Sequence, residues 1–374
     1  MVRPSTATRA KRSTFSLASR HTLPSTVTLP AAINALARCR LMPFWLLMIR
    51  DNIMAICPLW GRPPCILLWC KTTWGLTPMY NARMSIVPFQ AMACPLDGEP
   101  LQRDGSSWRC AGGHNFDVAR QGYVHLLPVQ KKRSLDPGDS KEMVAARRRF
   151  LNAGYYQPIA DAVARVILEA MPEGVTFSCL DAGCGEGYYL RELAARAGES
   201  HTLEVLGLDI SKWAVQAAAR QDKQPGWVVG SNANLPVLPG SVDRLLCLFG
   251  FPVYPEFARA LKPGGKLIQV DPGPDHLREL REIIYPEVKC GADKPQQVPE
   301  GFHHLNTETL RFPLDLTGAG EIADLLAMTP HLYRASQQGR ERVAALENLS
   351  LTVDIRLHTF ERKGATRAST PPGP

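Results

Sequence analysis

"LDAGCGEGYYLREL", residues 180–193, sets three glycines at alternate positions, 183, 185 and 187, between an apolar run and a helix-forming run. Without a Cβ, the main chain there can turn tightly and come close to a ligand. The run before it, "TFSCLDAG", predicts a buried strand over 176–181, and Tyr188 to Arg196 predicts a helix. "LEVLGLD" predicts a second strand ending at Asp209, with Ser211 as N-cap of the helix "KWAVQAAAR". "GWVVGS", "VDRLLCLFG" and "GKLIQVD" predict three more strands, with the helix "PEFARAL" and the turn "KPGG" between the last two. Strands alternating with helices imply an α/β fold with a doubly wound parallel sheet, whose ligands sit at the carboxyl ends of the strands.

A dinucleotide site would be spelled G-x-G-x-x-G; this loop reads D-x-G-x-G-x-G, opened by Asp181. Asp209 lies 22 residues beyond Gly187, where an acid at the end of a second strand can accept hydrogen bonds from both hydroxyls of a ribose. With the later "LKPGGKLI", the spelling resembles the class I (Rossmann-like) S-adenosylmethionine-dependent methyltransferases. That resemblance implies that Gly183, Gly185 and Gly187 face the methionine part of the cofactor. It also implies that Asp209 holds the ribose and that Ser231 and Asn232 flank the adenine.

The charge is uneven along the 374 residues. Residues 1–91 hold 11 of the 43 Lys and Arg and one acid, Asp51, leaving 32 basic and 34 acidic residues beyond. The same stretch has four of the seven tryptophans, no sustained period of 3.6 or 2, and apolar runs such as "LMPFWLLMI" that are too short to span a bilayer. Two readings stand for 1–91: upstream sequence with no evolved fold, the functional protein starting at Met92, or a transit or regulatory extension. The six cysteines beyond residue 91 form no disulfide-scaffold pattern, which fits a reducing cytoplasm.

"CPLDGEPLQRDGSSWRCAGGHNFD", residues 94–117, has the layout of a small zinc knuckle. Cys94 and Asp97 stand three apart, then Cys110 and His114 four apart, and tetrahedral zinc uses such pairs to staple a segment too small for its own core. Asp97 stands where a cysteine is usual. The alternative is a degenerate knuckle held by packing of Trp108, Phe116 and Tyr123.

Three stretches in order, "GYVHLLPVQKKRSLDPGDS" (122–140), "CGEGYY" (184–189) and "PGPDHLREL" (272–280), together with the knuckle, resemble the bacterial 23S rRNA guanine-N1 methyltransferases from Met92 onward. The resemblance implies methyl transfer from S-adenosylmethionine to N1 of a guanine in a hairpin loop, a zinc knuckle that helps recognise the RNA, and a homodimer. It carries zinc ligands onto Cys94, Cys110 and His114, with Asp97 departing from the pattern, and cofactor contacts onto Tyr156, Tyr189, Leu190 and His276. Domains are expected at 92–128 (knuckle), 129–172 (basic helical linker), 173–362 (methyltransferase) and 363–374 (disordered tail).

Guanine N1 carries a proton, so its methylation needs a base or an anion-stabilising site. Asp271, closing the fifth strand, is the candidate, set against the plainer reading of a surface or capping carboxylate. A looped-out guanine also needs an aromatic platform and a basic track for its phosphates. Lys131, Lys132, Arg133, Arg147, Arg148 and Arg149 supply the track; as a charge run they read equally as a solvated face. Tyr155 and Tyr156 serve either as platform or as helix packing. His303 and His304 make no metal pair, because adjacent strand residues face opposite ways. The rival functions are a small-molecule methyltransferase of the same fold and an inactive rRNA-binding assembly factor.

Overall fold

The computed structural model describes residues 46–49, 52–55, 85–131, 134, 136–169, 171, 175–197, 202–288 and 297–364. The chain divides into two units, Met1–Met79 and Tyr80–Pro374. In the first, β1 (Leu46–Ile49) and β2 (Asn52–Ala55) form an antiparallel hairpin, Leu46 opposite Ala55 and Ile49 opposite Asn52. The sequence pattern foresaw no regular structure there: two four-residue strands are too short to show a period.

The second unit opens with β3 (Ser85–Pro88), upstream of the boundary expected at Met92. A three-stranded antiparallel sheet follows, β4 (Gln102–Asp104), β5 (Ser107–Arg109) and β6 (Asn115–Asp117). Next come β7 (Tyr123–His125), α1 (Lys141–Asn152) and α2 (Gln157–Leu168). Ser140 caps α1 by accepting from the Met143 amide at 3.3 Å.

The main sheet then builds β8 (Thr176–Ala182), β9 (Thr202–Asp209), β10 (Gly226–Val229), β11 (Val242–Leu248) and β12 (Leu261–Pro272), all parallel. Three helices alternate with them: α3 (Tyr188–Arg196), α4 (Lys212–Gln221) and α5 (Tyr254–Ala260). The cores of these strands are near-continuous apolar runs, as strands buried on both faces must be. After α6 (Arg278–Ile284), β13 (Phe302–Leu316) leads through α7 (Ala319–Met328), α8 (His331–Arg334) and α9 (Gln337–Ala344) to β14 (Leu349–Arg362). β14 inserts antiparallel between β12 and β13, giving the order β13-β14-β12-β11-β8-β9-β10-β7. Winding reverses between β8 and β11, the switch point at which such sheets bind ligands.

This is the expected class I methyltransferase architecture, and four details differ from the sequence reading. β3 lies beside the first half of β9, and Phe89 is buried, so the fold takes in residues before Met92. β7, expected to belong to the knuckle, pairs in parallel with β10 as part of the main sheet. The stretch expected to be a linker is not one: Ile159, Val163 and Ile167 of α2 are fully packed in the core, and α1 lies against α7. The "KPGG" turn is drawn into the start of β12, where the register against β11 shifts between Val242 and Arg244. The tail expected to be disordered lies outside the described residues from 365 onward. Among the described residues no helix is long and apolar enough to cross a membrane.

Candidate active site and metal centre

The carboxyl ends of β8 to β12 open into a cavity of about 2090 Å³. Its near wall is the glycine loop. Gly185, at φ +55°, donates its amide to Asp209 Oδ2 at 2.9 Å, and Ser211 donates to Oδ1 at 2.8 Å. Asp209 therefore fixes the loop as well as facing the cavity. Burial pushes its carboxyl upward, against the pull of these two amides and of Arg147.

Asp181, at the foot of the loop, is buried and neither oxygen has a hydrogen-bond partner among the described residues. Burial, then the charge of Asp209, pushes its carboxyl up to about 8. Glu186 is buried too but paired, with Arg191 at 2.9 Å and the Gln221 amide at 2.6 Å.

Of the expected cofactor residues, Tyr156, Gly183, Gly185, Tyr189, Asp209, Ser231, Asn232 and His276 line the cavity, and so does Asp271. Asp181, Gly187 and Leu190 do not. Gly187, at φ +82°, begins α3 where a Cβ would stand 2.7 Å from the Trp227 ring, so its role is helix-on-sheet packing. Leu190 falls on the core face of α3.

Asn232 Nδ2 donates to the carbonyls of Ala182 and Phe251, both at 3.3 Å, tying the loop after β10 to two strand ends. His276 Nδ1 accepts the Asp354 amide at 3.3 Å, which leaves the ring proton on Nε2, 3.5 Å from the Tyr156 hydroxyl. Burial holds His276 down at about 4, so it serves as a neutral contact. Its ring stacks on Phe249 with centroids 5.8 Å apart. Phe249 (φ 53°) and Leu277 (φ 51°) are the two non-glycine residues in the left-handed region among those described, and both line the cavity. Such strain is commonly held at working sites.

The basic run divides. Arg147 pairs with Asp139, donates to the Met328 carbonyl at 3.0 Å and lines the cavity. Arg149 makes two bonds to Asp324 of α7, at 2.7 and 2.5 Å, and so docks one helix on another. Arg148 remains exposed on the surface. Lys132 and Arg133 lie outside the described residues, as does the side chain of Lys131. His303 and His304 are not brought together; they stand opposite Glu361 and Phe360.

Sequence reasoning missed several residues. Phe251 is 88% exposed at the rim, and its only sequence signal is an aromatic just past a strand end, in "FGFP". Asp139, in "DPGDS", accepts the Ser211 hydroxyl on its carbonyl at 2.7 Å, fastening this segment beside Asp209. Arg281, Thr307, Arg356 and His358 also line the cavity and carry no local motif.

Apart from this cavity, the donor atoms of Cys94, Asp97, Cys110 and His114 gather within 4.8 Å of one another. Individual spacings are 2.9 Å (His114 Nδ1 to Asp97 Oδ2), 3.2 Å (Cys110 Sγ to Asp97 Oδ2), 3.3 Å (Cys110 Sγ to His114 Nδ1) and 3.5 Å (Cys94 Sγ to His114 Nδ1). Four ligands around zinc at about 2.0–2.3 Å would stand about 3.3–3.8 Å apart, so a small expansion accommodates the ion. Gly112 leaves the cradle open, since a Cβ there would lie 2.5 Å from Asp97 Oδ2. The Cys94 thiol bonds to Asp97 and, with the Glu99 amide, holds that carboxyl well below its usual range, while burial pushes the thiol up to about 11. A bound cation would reverse that thiol's preference and take it as thiolate.

Residues 92–135 match the zinc-ribbon family described as "RlmA, N-terminal". Over 291 residues the chain is 35% identical to a Micromonospora griseorubida protein provisionally named as a 23S rRNA (guanine-N(1)-)-methyltransferase, covering 72% of this chain and 96% of that one. The chain belongs to the 23S rRNA guanine-N1 methyltransferase family. A Bacillus subtilis member provisionally given the same activity is 31% identical, with the same two coverages, 72% and 96%. The 23S rRNA (guanine(748)-N(1))-methyltransferase of Streptomyces fradiae is 38% identical over 60% of this chain and 80% of its own. Residues 179–265 match the methyltransferase domain family, a span that begins in β8 and ends in β12.

S-adenosylmethionine, the cofactor of this family, fits the near wall. It brings two ribose hydroxyls and a chain that must come close to the backbone, and the wall offers the acceptor Asp209 and a loop free of side chains, with the unpartnered carboxyl of Asp181 buried at its foot.

Proposed function

We propose that this protein transfers the methyl group of S-adenosylmethionine to N1 of a guanine in a hairpin loop of 23S rRNA, in the bacterial cytoplasm where that RNA is found. One observation carries the reading: a single cavity joins the glycine loop and Asp209 to an exposed aromatic, Phe251, and a carboxylate, Asp271. Small-molecule sites usually measure about 300–1,000 Å³. At about 2090 Å³ this cavity has room for a cofactor and an extruded nucleotide together.

The cofactor supplies a methyl group on a sulfur that is already a good leaving group, so the residues here mainly position and desolvate. Asp209 and the loop amides hold the cofactor end. Phe251, with Phe249 also in the lining, offers a face on which a guanine out of its stack can lie. Tyr156 and His276 add neutral groups to the same lining, and Asp271, also in it, is the group assigned here to take the N1 proton.

Primer extension tests this directly, because a methyl on N1 blocks pairing and stops the polymerase. A stop in 23S rRNA is expected to vanish from a deletion strain and to return with the full chain but not with Gly185→Arg. Identical stops in both strains would sink the reading.

A further inference from the structure

The far end of the cavity closes on a polar row crossing three strands. Gln269 and Asp271 stand on β12, His358 opposite Gln269 on β14, and Thr307 opposite His358 on β13. Paired residues share a face of the sheet, so the four side chains lie on one side. Tyr254 Oη donates to Gln269 Oε1 at 3.2 Å, which turns the amide so that Nε2 donates to Asp271 Oδ2 at 2.6 Å. Asp271 Oδ2 is thereby fixed as an acceptor. His358 Nε2 lies 3.9 Å from the same oxygen. Across the ring, Nδ1 is 2.8 Å from Thr307 Oγ1, which is 2.7 Å from His304 Nε2. Asp271, a third exposed, lies open to the cavity; buried His358 and exposed Thr307 also line it, and His304 is exposed to solvent like Thr307.

We propose that Asp271 accepts the N1 proton of the target guanine and that His358 and Thr307 pass it on to His304 and the solvent; this rests on the methyl-transfer reading above. At neutral pH guanine N1 keeps its proton, and its electron pair is not free to attack. The N1–H bond breaks toward Asp271, the freed pair forms the bond to the methyl carbon, and the carbon–sulfur pair returns to sulfur. Neutral Asp271 then passes its proton through one bridging water to His358 Nε2, 3.9 Å away, the Nδ1 proton moves to Thr307 Oγ1, and the threonine's own proton moves to His304 Nε2. Return of the His358 ring proton to Nδ1 through solvent resets the row. One proton enters and one leaves, so the row ends the cycle with its charge unchanged. Asp271 is the catalytic residue; His358 and Thr307 are positioning residues that act through it. The charged and titratable groups facing His358 are Asp271 from β12, His304 from β13 and Arg356 on its own strand, and its burial favours the neutral ring the relay starts from.

The test measures kcat and KM with S-adenosylmethionine and a transcript of the 23S hairpin, across pH. Asp271→Asn is expected to lose about 100-fold or more in kcat, the usual contribution of a positioned base. Thr307→Val keeps the side chain's shape and removes the hydroxyl. It should lose about tenfold in kcat at neutral pH with KM unchanged, and its rate should climb further into the alkaline range; Thr307→Ser should restore the wild-type profile. Independently of turnover, ¹⁵N shifts of His358 in the RNA-free protein should place its proton on Nδ1 and show that preference lost in Thr307→Val. Wild-type kcat and pH profile in Thr307→Val, with methylation intact, would overturn the relay alone. A wild-type protein that methylates no guanine N1 would overturn the function, and the relay with it, even where the ¹⁵N shifts come out as expected.

Discussion

The two walls of the cavity are assembled over different distances along the chain. The near wall comes from three short segments that follow strand ends, 182–189, 209–210 and 230–232, and main-chain amides and glycine dihedrals hold it together. Elsewhere in the lining the ties are between side chains far apart in sequence: Tyr156 meets His276, 120 residues away, and Thr307 meets His358 from another strand. Backbone geometry tolerates few residue types, whereas a side-chain pair can be made by many. A near wall of the first kind should break abruptly when changed, and a far wall of the second kind should yield by degrees.

The sharpest break is expected at Gly207 on β9, where any Cβ would overlap the Trp227 ring. Gly207→Val should cost more than about 4 kcal/mol and abolish cooperative unfolding, the penalty of overpacking against rigid neighbours. A melting temperature within a few degrees of wild type would remove the contrast between the walls.

Next comes Asp181. Its folded carboxyl sits at about 8, above the unfolded value, so between about pH 4 and 8 the native state holds a proton that the unfolded chain has released. Stability of the cofactor-free protein should therefore fall as pH rises through that window, by a few kcal/mol, and level off above it. Asp181→Asn should flatten the curve, as read by urea midpoints against pH; a wild-type curve already flat there would count against a neutral Asp181.

Asp209→Ala removes the acceptor of two amides and should weaken S-adenosylhomocysteine binding by about 100-fold in calorimetry, in keeping with about 1.5–3 kcal/mol per hydrogen bond to a charged group. Equal weakening by Thr307→Val would erase the division of labour between the walls. The smallest effect is expected at Arg149, whose side chain is 60% exposed beside Asp324. Arg149→Ala should cost less than about 1 kcal/mol in unfolding free energy, as exposed ion pairs do.

The same contrast explains what could be read from the sequence. Strand, loop, helix, Asp209 and Ser211 were legible because each leaves a local signature. Asp181, Gly187 and Leu190 were legible as motif residues, but their place off the cavity lining was not, since neighbours around a tight loop alternate between cavity and core. Gly187 turns toward Trp227, and Leu190 toward the core, only once α3 is laid on the sheet. His358 and Thr307 were invisible because their meeting depends on the register of β13 against β14, with three helices between them in the chain. Tyr156 and His276 were found only through family likeness; no local pattern marks a tyrosine and a histidine 120 residues apart as partners.

The loop that brings Ser231 and Asn232 to the cavity does not end there. Two residues on, Asn234 donates to the carbonyl of Pro95 at 3.2 Å, and the Ala93 amide donates to Pro236 at 3.0 Å, either side of Cys94 in the four-residue donor cluster. An ion held by that cluster would therefore sit within a few hydrogen bonds of the cavity, and its occupancy and the cofactor's would share one thermodynamic cycle. Whatever factor the ion adds to affinity for the cofactor, the cofactor must return to the ion.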